Sequence, residues 1–380
     1  LSAKRDLGSQ ATRGKALAKE NKMERELLSR LISSYLRRFR KDRPFTLPHH
    51  LTGSKRILVV DSGETVDLLF AAPVVNWFHD NHPEVKITLL VLQKDAEVAK
   101  SIMKVGGVIT CDPKQLRLFK ADYMALSRKL RKMEIDTVIL TSRQMSLERH
   151  LLAFMTGAAA RIGFAFPMAF PFVNCEVKIS EETYIGSGMP RILQSLGLGA
   201  GAFRGGTSIA QQDVQRAGQL IHFRKPEKGV LTVGIDPGNG KTRHTVIPEI
   251  MAYLANNLAG RLRVKFLVLM NPWDQRLIER LKGELKGETI DLEPSNQAET
   301  LALLSNCDLF LSGNTDLFHF AAEFDVPVIG LFTKYDGRHW IPENRPNVRI
   351  FKGVKGEQLS MKTFFTDVEE LLQMARNRHA

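Results

Sequence analysis

The stretch SGNTDLFHFAAEFDVPVIGLF, residues 312–332, opens on small polar residues, carries His319 inside an apolar run and closes on a buried-strand pattern. With the preceding CDLFLS it reads as a strand, a GNTD turn, a helix (LFHFAAEF) and a second strand (VPVIGLF). In an open parallel sheet the loops at the strand ends take ligands, and helix N-termini attract anions. The stretch is therefore either a ligand loop or a core βαβ unit with one histidine in it.

Working outward, the same alternation occurs twice. VLTVGIDPGNG (230–240), the helix PEIMAYLANNLAG, the strand RVKFLVLM, the helix DQRLIERLKG, the strand ETIDLE and the helix AETLALLSNC complete a domain over residues 228–350. Earlier, KRILVVDSG (55–63), a helix through ETVDLLFAAPVVNWFHDNHPEV, the strand KITLLVL (86–92), and then GVIT, DTVILTS and ARIGFAF outline another over residues 55–175. This pattern predicts two doubly wound, Rossmann-like parallel-sheet α/β domains. Residues 1–54 read as a basic N-terminal extension, 176–227 as a linker with short helices, and 351–380 as a C-terminal amphipathic helix. Two such domains facing a central cleft make the GT-B architecture. Glycosyltransferases, some epimerases and binding proteins share it, so the fold alone does not choose a function.

Composition narrows the choice. A length of 380 residues suits two domains. Cys111, Cys175 and Cys307 lie far apart without C-x-x-C spacing, which speaks against zinc or a disulfide framework and for a reducing cytoplasm. No apolar run reaches the ~18 residues of a membrane span, and no signal-peptide pattern is present. The net charge of +13 is uneven: residues 1–56 hold fifteen Lys/Arg against five Asp/Glu. The body is thus nearly balanced, and with no helix-turn-helix, RNP or zinc-finger pattern no nucleic-acid partner is expected. Within residues 23–43, Leu27, Leu28, Leu31, Ile32, Tyr35, Leu36 and Phe39 recur at helical spacing, among Arg30, Arg37, Arg38, Arg40 and Lys41. Such a helix either lies on an anionic membrane or packs on its own domain with a solvated basic face.

Four segments stand in a telling order. ILVVDSGETVDLLFAAP holds Gly63, Asp67 and Pro73, and DTVILTSRQMSLERHLLAFMTGAAARIGF ends in a small-residue turn and RIGF. VGIDPGNGKTRHTVIPE opens the second domain, and LLSNCDLFLSGNTDLFHFAAEFDVPVIGLFTKYDGRHWIP holds the histidine. Together, over residues 55–350, they resemble the ADP-heptose:lipopolysaccharide heptosyltransferases, glycosyltransferase family nine. The resemblance implies inverting transfer of a sugar, heptose from ADP-heptose, to a lipopolysaccharide core-type acceptor. It implies no metal and no cofactor beyond the nucleotide-diphosphate-sugar co-substrate. The acceptor would be lipid-anchored or a glycan, met at the inner face of the cytoplasmic membrane.

Inversion needs one carboxylate to take the acceptor proton while N–H or cationic groups hold the departing diphosphate. By resemblance Asp67 is the base, whereas its bland role is to complement a helix dipole. Gly63, Asn314, Thr315, Asp316 and His319 match donor-binding positions, with Lys241, Arg243 and His244 near the phosphate-binding lysine. Gly63 read without the resemblance is a turn glycine, His319 a core histidine, and the three basics a solvated loop. The chain also departs from the family pattern. Val66 replaces the glycine before the Asp, Asp61 a basic or polar turn residue, and Val246 a tryptophan, while D-[ST]-G reads Asn314-Thr315-Asp316. Asp316 adds repulsion where glycine would meet phosphate, unless its side chain turns away or pairs. Two other readings follow: a relative that glycosylates protein Ser/Thr side chains, and a catalytically silent sugar-nucleotide-binding protein. A dinucleotide oxidoreductase is disfavoured, because no G-x-G-x-x-G follows either leading strand.

Overall fold

The computed structural model describes residues 27–38, 43–167, 169–198, 207, 209–224, 227, 229–236, 238, 246, 248–269, 275–353 and 360–379. Helices α1 (residues 27–38) and α2 (His49–Thr52) precede the first sheet. Strand β1 (Arg56–Val60) leads to α3 (Thr65–Asn81), β2 (Lys86–Leu92), α4 (Ala96–Ile102), β3 (Gly107–Cys111), α5 (Ala121–Lys132) and β4 (Thr137–Leu140). Then come α6 (Leu147–Met155), β5 (Ala160–Phe164) and β6 (Cys175–Val177). The strands run parallel in the order β3-β2-β1-β4-β5-β6. The central strands are aliphatic and buried along nearly their whole length, as strands covered by helices on both faces must be.

Helices α7 (Gly188–Ser195) and α8 (Gln211–Arg224) lead to the second half. It comprises β7 (Leu231–Asp236), α9 (Pro248–Ala259), β8 (Val264–Val268), α10 (Gln275–Glu284), α11 (Gln297–Leu304) and β9 (Leu309–Ser312). It ends with α12 (Asp316–Glu323), β10 (Val328–Phe332), β11 (Val348–Lys352) and α13 (Met361–His379). This sheet is also parallel, ordered β11-β10-β9-β7-β8. The expected pair of doubly wound sheets is present, and this is the GT-B architecture. In each sheet the chain starts centrally, builds to one side and then to the other. The reversals fall between β1 and β4 and between β7 and β9, where open α/β sheets form their ligand crevices.

Details differ from the sequence reading. ETIDLE is not a strand: it makes one bridge, Thr289 to Phe266, with Ile290 N–H donating to Phe266 O at 2.7 Å. Pro294, just beyond, lacks the N–H needed to extend a ladder. The supposed linker divides its loyalties, with α7 packed on α3 of the first half and α8 on α11 of the second. Helix α13 closes the second half through Phe364, Val368 and Leu371. The halves also meet directly. Helix α3 packs on α12 and α4 on α11, so Phe70 and Phe318 belong to one buried apolar cluster.

Helix α1 packs on its own domain along one side. Ile32 and Leu36 pack on the first half, and the Ser33 hydroxyl donates to Phe170 O at 2.9 Å. Arg37 donates to the same carbonyl through Nε (3.1 Å) and Nη2 (2.8 Å). Leu27, Leu31 and Tyr35 face outward, 52%, 69% and 66% exposed. Leu31 therefore lies away from the packed side, which Ile32, Ser33 and Leu36 form. Phe39, Arg40 and Lys41 lie outside the described residues.

Candidate active site

In the first crevice, β1 runs into Asp61, Ser62 and Gly63 before α3 begins. Gly63 has φ +96°, in the left-handed region, and a Cβ there would meet Arg149 Nη2 at 2.7 Å. Glycine is required twice over, for the turn and for the approach of the Arg149 guanidinium from α6. Its N–H donates to Asp61 Oδ2 at 2.8 Å. Asp67, in the first turn of α3, is 5% exposed and accepts a 2.5 Å hydrogen bond from the Ser62 hydroxyl. Ser142, on the loop leaving β4, lies near the same carboxylate and favours its ionised form.

Burial raises the Asp67 pKa to about 6, against the opposing influence of Ser62 and Ser142. Burial also raises Asp61 to about 7, helped by the negative charges of Asp67 and Asp95 and opposed by the Gly63 N–H and Arg149. At neutral pH Asp61 thus keeps a proton about half the time while Asp67 is mostly ionised. A largely ionised carboxylate held by a hydroxyl at a strand end is equipped to accept a proton.

In the second crevice, Asp236 ends β7 and accepts from the Thr315 hydroxyl (2.7 Å) and Gly238 N–H (2.9 Å). Thr315 also caps α12 by accepting from Phe318 N–H at 3.3 Å. Asn314 Nδ2 donates to Asp336 Oδ1 at 2.7 Å. Burial raises Asp236 to about 6 and Asp316 to about 7, the latter assisted by Glu64 and Asp67 and opposed by Lys94. Helix α3 packs on α12, so the two crevices adjoin across that contact. Gln297 Nε2 also joins the two halves, donating to Thr65 Oγ1 at 3.3 Å.

Gly63, Asp67, Asn314, Thr315 and Asp316 are therefore brought together. His319, the remaining residue of the opening stretch, lies deeper. It is 1% exposed, with Nδ1 against Tyr184 OH (3.1 Å) and Nε2 against Asn314 Oδ1 (3.3 Å). Phe70, Tyr184, Phe318 and Trp340 surround the ring, and burial lowers its pKa to about 3. A neutral ring with both nitrogens occupied has no charge or free donor for a phosphate in this arrangement. In this structure the ring bridges the two halves. Lys241, Arg243 and His244 lie outside the described residues, and Val246 is buried in the second half's core.

Sequence reasoning missed Ser62, Ser142, Arg149, Asp236 and Tyr184. Asp236 had a signal, since VVD and VGID both end a leading strand in aspartate. Ser142 and Arg149 had none without knowing that β4 lies beside β1. Among the described residues, no group of three or more His, Cys, Asp or Glu side chains is arranged to hold a metal ion.

A sequence model of glycosyltransferase family 9 (heptosyltransferase) matches residues 123–363, more than half of the chain. The chain is similar to the lipopolysaccharide core heptosyltransferase OpsX of Haemophilus influenzae, 21% identical over 305 residues, covering 78% of this chain and 84% of the relative. Its fold is similar to that of the family 9 glycosyltransferase from Veillonella parvula, with TM-score 0.71 and 16% identity, covering 84% of this chain and 97% of the other. It also resembles E. coli heptosyltransferase WaaC solved with ADP, with TM-score 0.63 and 19% identity, covering 83% and 99%. E. coli ADP-heptose lps heptosyltransferase II gives TM-score 0.66 at 14% identity, covering 84% and 99%.

Proposed function

We propose a reaction for this protein starting from its family: the chain belongs to glycosyltransferase family 9 and is a glycosyltransferase. It transfers heptose from ADP-heptose to a hydroxyl of a lipopolysaccharide core-type acceptor, inverting C1. The names of the relatives support donor and acceptor: one is a lipopolysaccharide core heptosyltransferase, one is described with ADP-heptose, and one was solved with ADP. The observation that carries the mechanism is the buried Asp67 carboxylate, held by Ser62 on the helix that packs against α12. In the proposed step the acceptor oxygen bonds to C1 as the C1–O bond to the diphosphate breaks. Asp67 takes the hydroxyl proton, and ADP leaves with the electron pair. The backbone N–H groups of Thr315, Asp316 and Leu317, at the start of α12, hold the diphosphate.

Incubation with ADP-heptose and heptose-deficient core lipopolysaccharide should release ADP and add mass to the lipid. Donor binding without ADP release would instead favour a silent binding protein. That second reading is motivated by Asp61 and Asp316, acidic where the family pattern has a basic or polar residue and a glycine.

Asp316 makes a pH prediction. Its raised pKa of about 7 leaves it neutral below that value and charged above it, so repulsion of the diphosphate grows with pH. ADP should bind about tenfold more weakly at pH 8 than at pH 6, as expected for one like charge in a partly screened site. Asp316→Asn should flatten this difference and separate it from the titration of ADP itself. An equal pH dependence in the variant, measured by calorimetry, would place Asp316 away from the diphosphate.

The outward face of α1 supports contact with an anionic membrane beside a lipid-anchored acceptor. No described helix is long and apolar enough to cross one. Near such a surface each basic residue contributes ~1 kcal/mol, screened over ~8 Å at physiological salt. Exchanging both Leu27 and Leu31, exposed on this face, for Glu should abolish co-sedimentation with phosphatidylserine vesicles at low salt and leave the melting temperature unchanged. Leu36→Glu, on the packed side, should lower it.

A further inference from the structure

The loop leaving β4 carries, beside Ser142, a guanidinium whose donors are only partly used. Arg143 Nη1 donates to Ser180 O at 3.2 Å, and the group lies over the Phe164 ring, 5.7 Å from its centroid. Nε and Nη2 are closed off from solvent and have no hydrogen-bond partner among the described residues. Buried charged donors are costly to leave unpaired, and an unsatisfied pair calls for a partner that arrives from outside. Nε and Nη2 form one edge of the guanidinium, the edge that grips a carboxylate or phosphate through two parallel bonds.

A second guanidinium and an imidazole lie near it. Arg191, on α7, acts electrostatically on Arg143, and Arg143 in turn acts on His339, from the turn 338–340 of the second half. Glu181 supplies the opposing charge felt by both Arg143 and His339. Arg191 itself is held at the rim by Glu343 and Thr183, each at 3.4 Å. The adjacent residue, Ser142, lies close enough to Asp67 to favour its ionised form. Two guanidinium groups and an imidazole from three elements thus gather beside the loop that carries Ser142, in the first half rather than at α12.

We propose that Arg143, with Arg191 and His339 beside it, is an oxyanion subsite for the acceptor: a carboxylate or phosphate of the acceptor bonds Nε and Nη2 and so sets the acceptor hydroxyl against Asp67. This rests on the assignment of Asp67 and of a diphosphate donor made above. Arg143 is a specificity-determining residue here.

With the donor site saturated by ADP, inorganic phosphate and acetate are titrated into the wild-type chain and followed by NMR. Saturable binding of at least one anion is expected, weakened about tenfold or more in Arg143→Gln, as for loss of a two-bond charged contact, and less in Arg143→Lys. The two titrations distinguish a phosphate from a carboxylate partner. In turnover, Arg143→Gln should raise KM for the lipopolysaccharide acceptor about tenfold and leave KM for the donor unchanged. Absence of both anions from the wild-type chain, or equal binding by Arg143→Gln, would overturn the subsite. Weakened ADP binding in Arg143→Gln would also overturn it, by giving the guanidinium to the donor. Failure of the wild-type chain to bind ADP would instead sink the donor assignment, while anion binding in Arg143→Gln still judges the subsite.

Discussion

Asp67→Asn is expected to lower kcat by ~10²–10⁴-fold, the usual scale for loss of a general base, with donor affinity nearly unchanged. The amide keeps the shape of the carboxylate and can still accept from Ser62, so the loop from Asp61 to Glu64 should hold. Stability offers an internal control. A folded-state pKa raised from 3.8 to about 6 contributes stability that is present below 3.8 and lost as pH rises through 6. At pH 8 the native chain therefore carries a buried charge that Asn lacks, and the variant should melt no lower than the wild type. A large loss of turnover without a loss of melting temperature cannot be put down to misfolding. The same pKa sets the acid limb: wild-type kcat/KM should fall about tenfold per unit below pH 6. Wild-type turnover in the purified Asn variant would remove Asp67 from the chemistry.

How much of this was visible in the chain can be judged residue by residue. The two sheets were legible because parallel strands buried on both faces must be near-continuous aliphatic runs, and ILVV, KITLLVL and VIGLF are such runs. ETIDLE misled because its alternation is real, yet its residues follow β8 for a single bridge before Pro294 turns the chain. At the site, Asp67 and Thr315 were legible from local sequence, since a strand end followed by a helix start fixes where they lie. Their partners were not. Ser142 supports Asp67 across 75 positions, and Arg149 reaches Gly63 only because β4 pairs with β1. The arginine of RIGF shows the same limit. Arg161 is fully buried and donates to Phe172 O, Ala158 O and Pro171 O, holding the loop after β5 rather than touching the cleft. Motif membership could not say so.

His319→Ala should cost about 3–5 kcal/mol of stability, the range for removing a large buried ring, and should weaken ADP and adenosine binding equally. The ring fills a space lined by Phe70 and Tyr184 from one half and by Phe318 and Trp340 from the other. Its removal leaves both a cavity and a Tyr184 hydroxyl without its partner. Because the contacts span the halves, the loss falls on how they are held together, and no phosphate-specific term is expected. Linkage gives a second signature. The folded-state pKa is lowered to about 3, so stability from this residue is present above the unfolded value of about 6.5 and declines as pH falls toward 3. Between pH 7.5 and 5 the unfolded chain gains a proton that the folded chain refuses, a shift of about 2 kcal/mol against the wild type. Alanine cannot take up that proton. The stability gap between wild type and His319→Ala should therefore narrow by that amount at pH 5, as read from denaturant melts at the two pH values. Raised carboxylates such as Asp61 act in the opposite direction but are common to both proteins and cancel in the comparison. A gap that stays constant with pH would mean that the ring is protonated in the folded chain, and would return His319 to the role of an anion-binding cation.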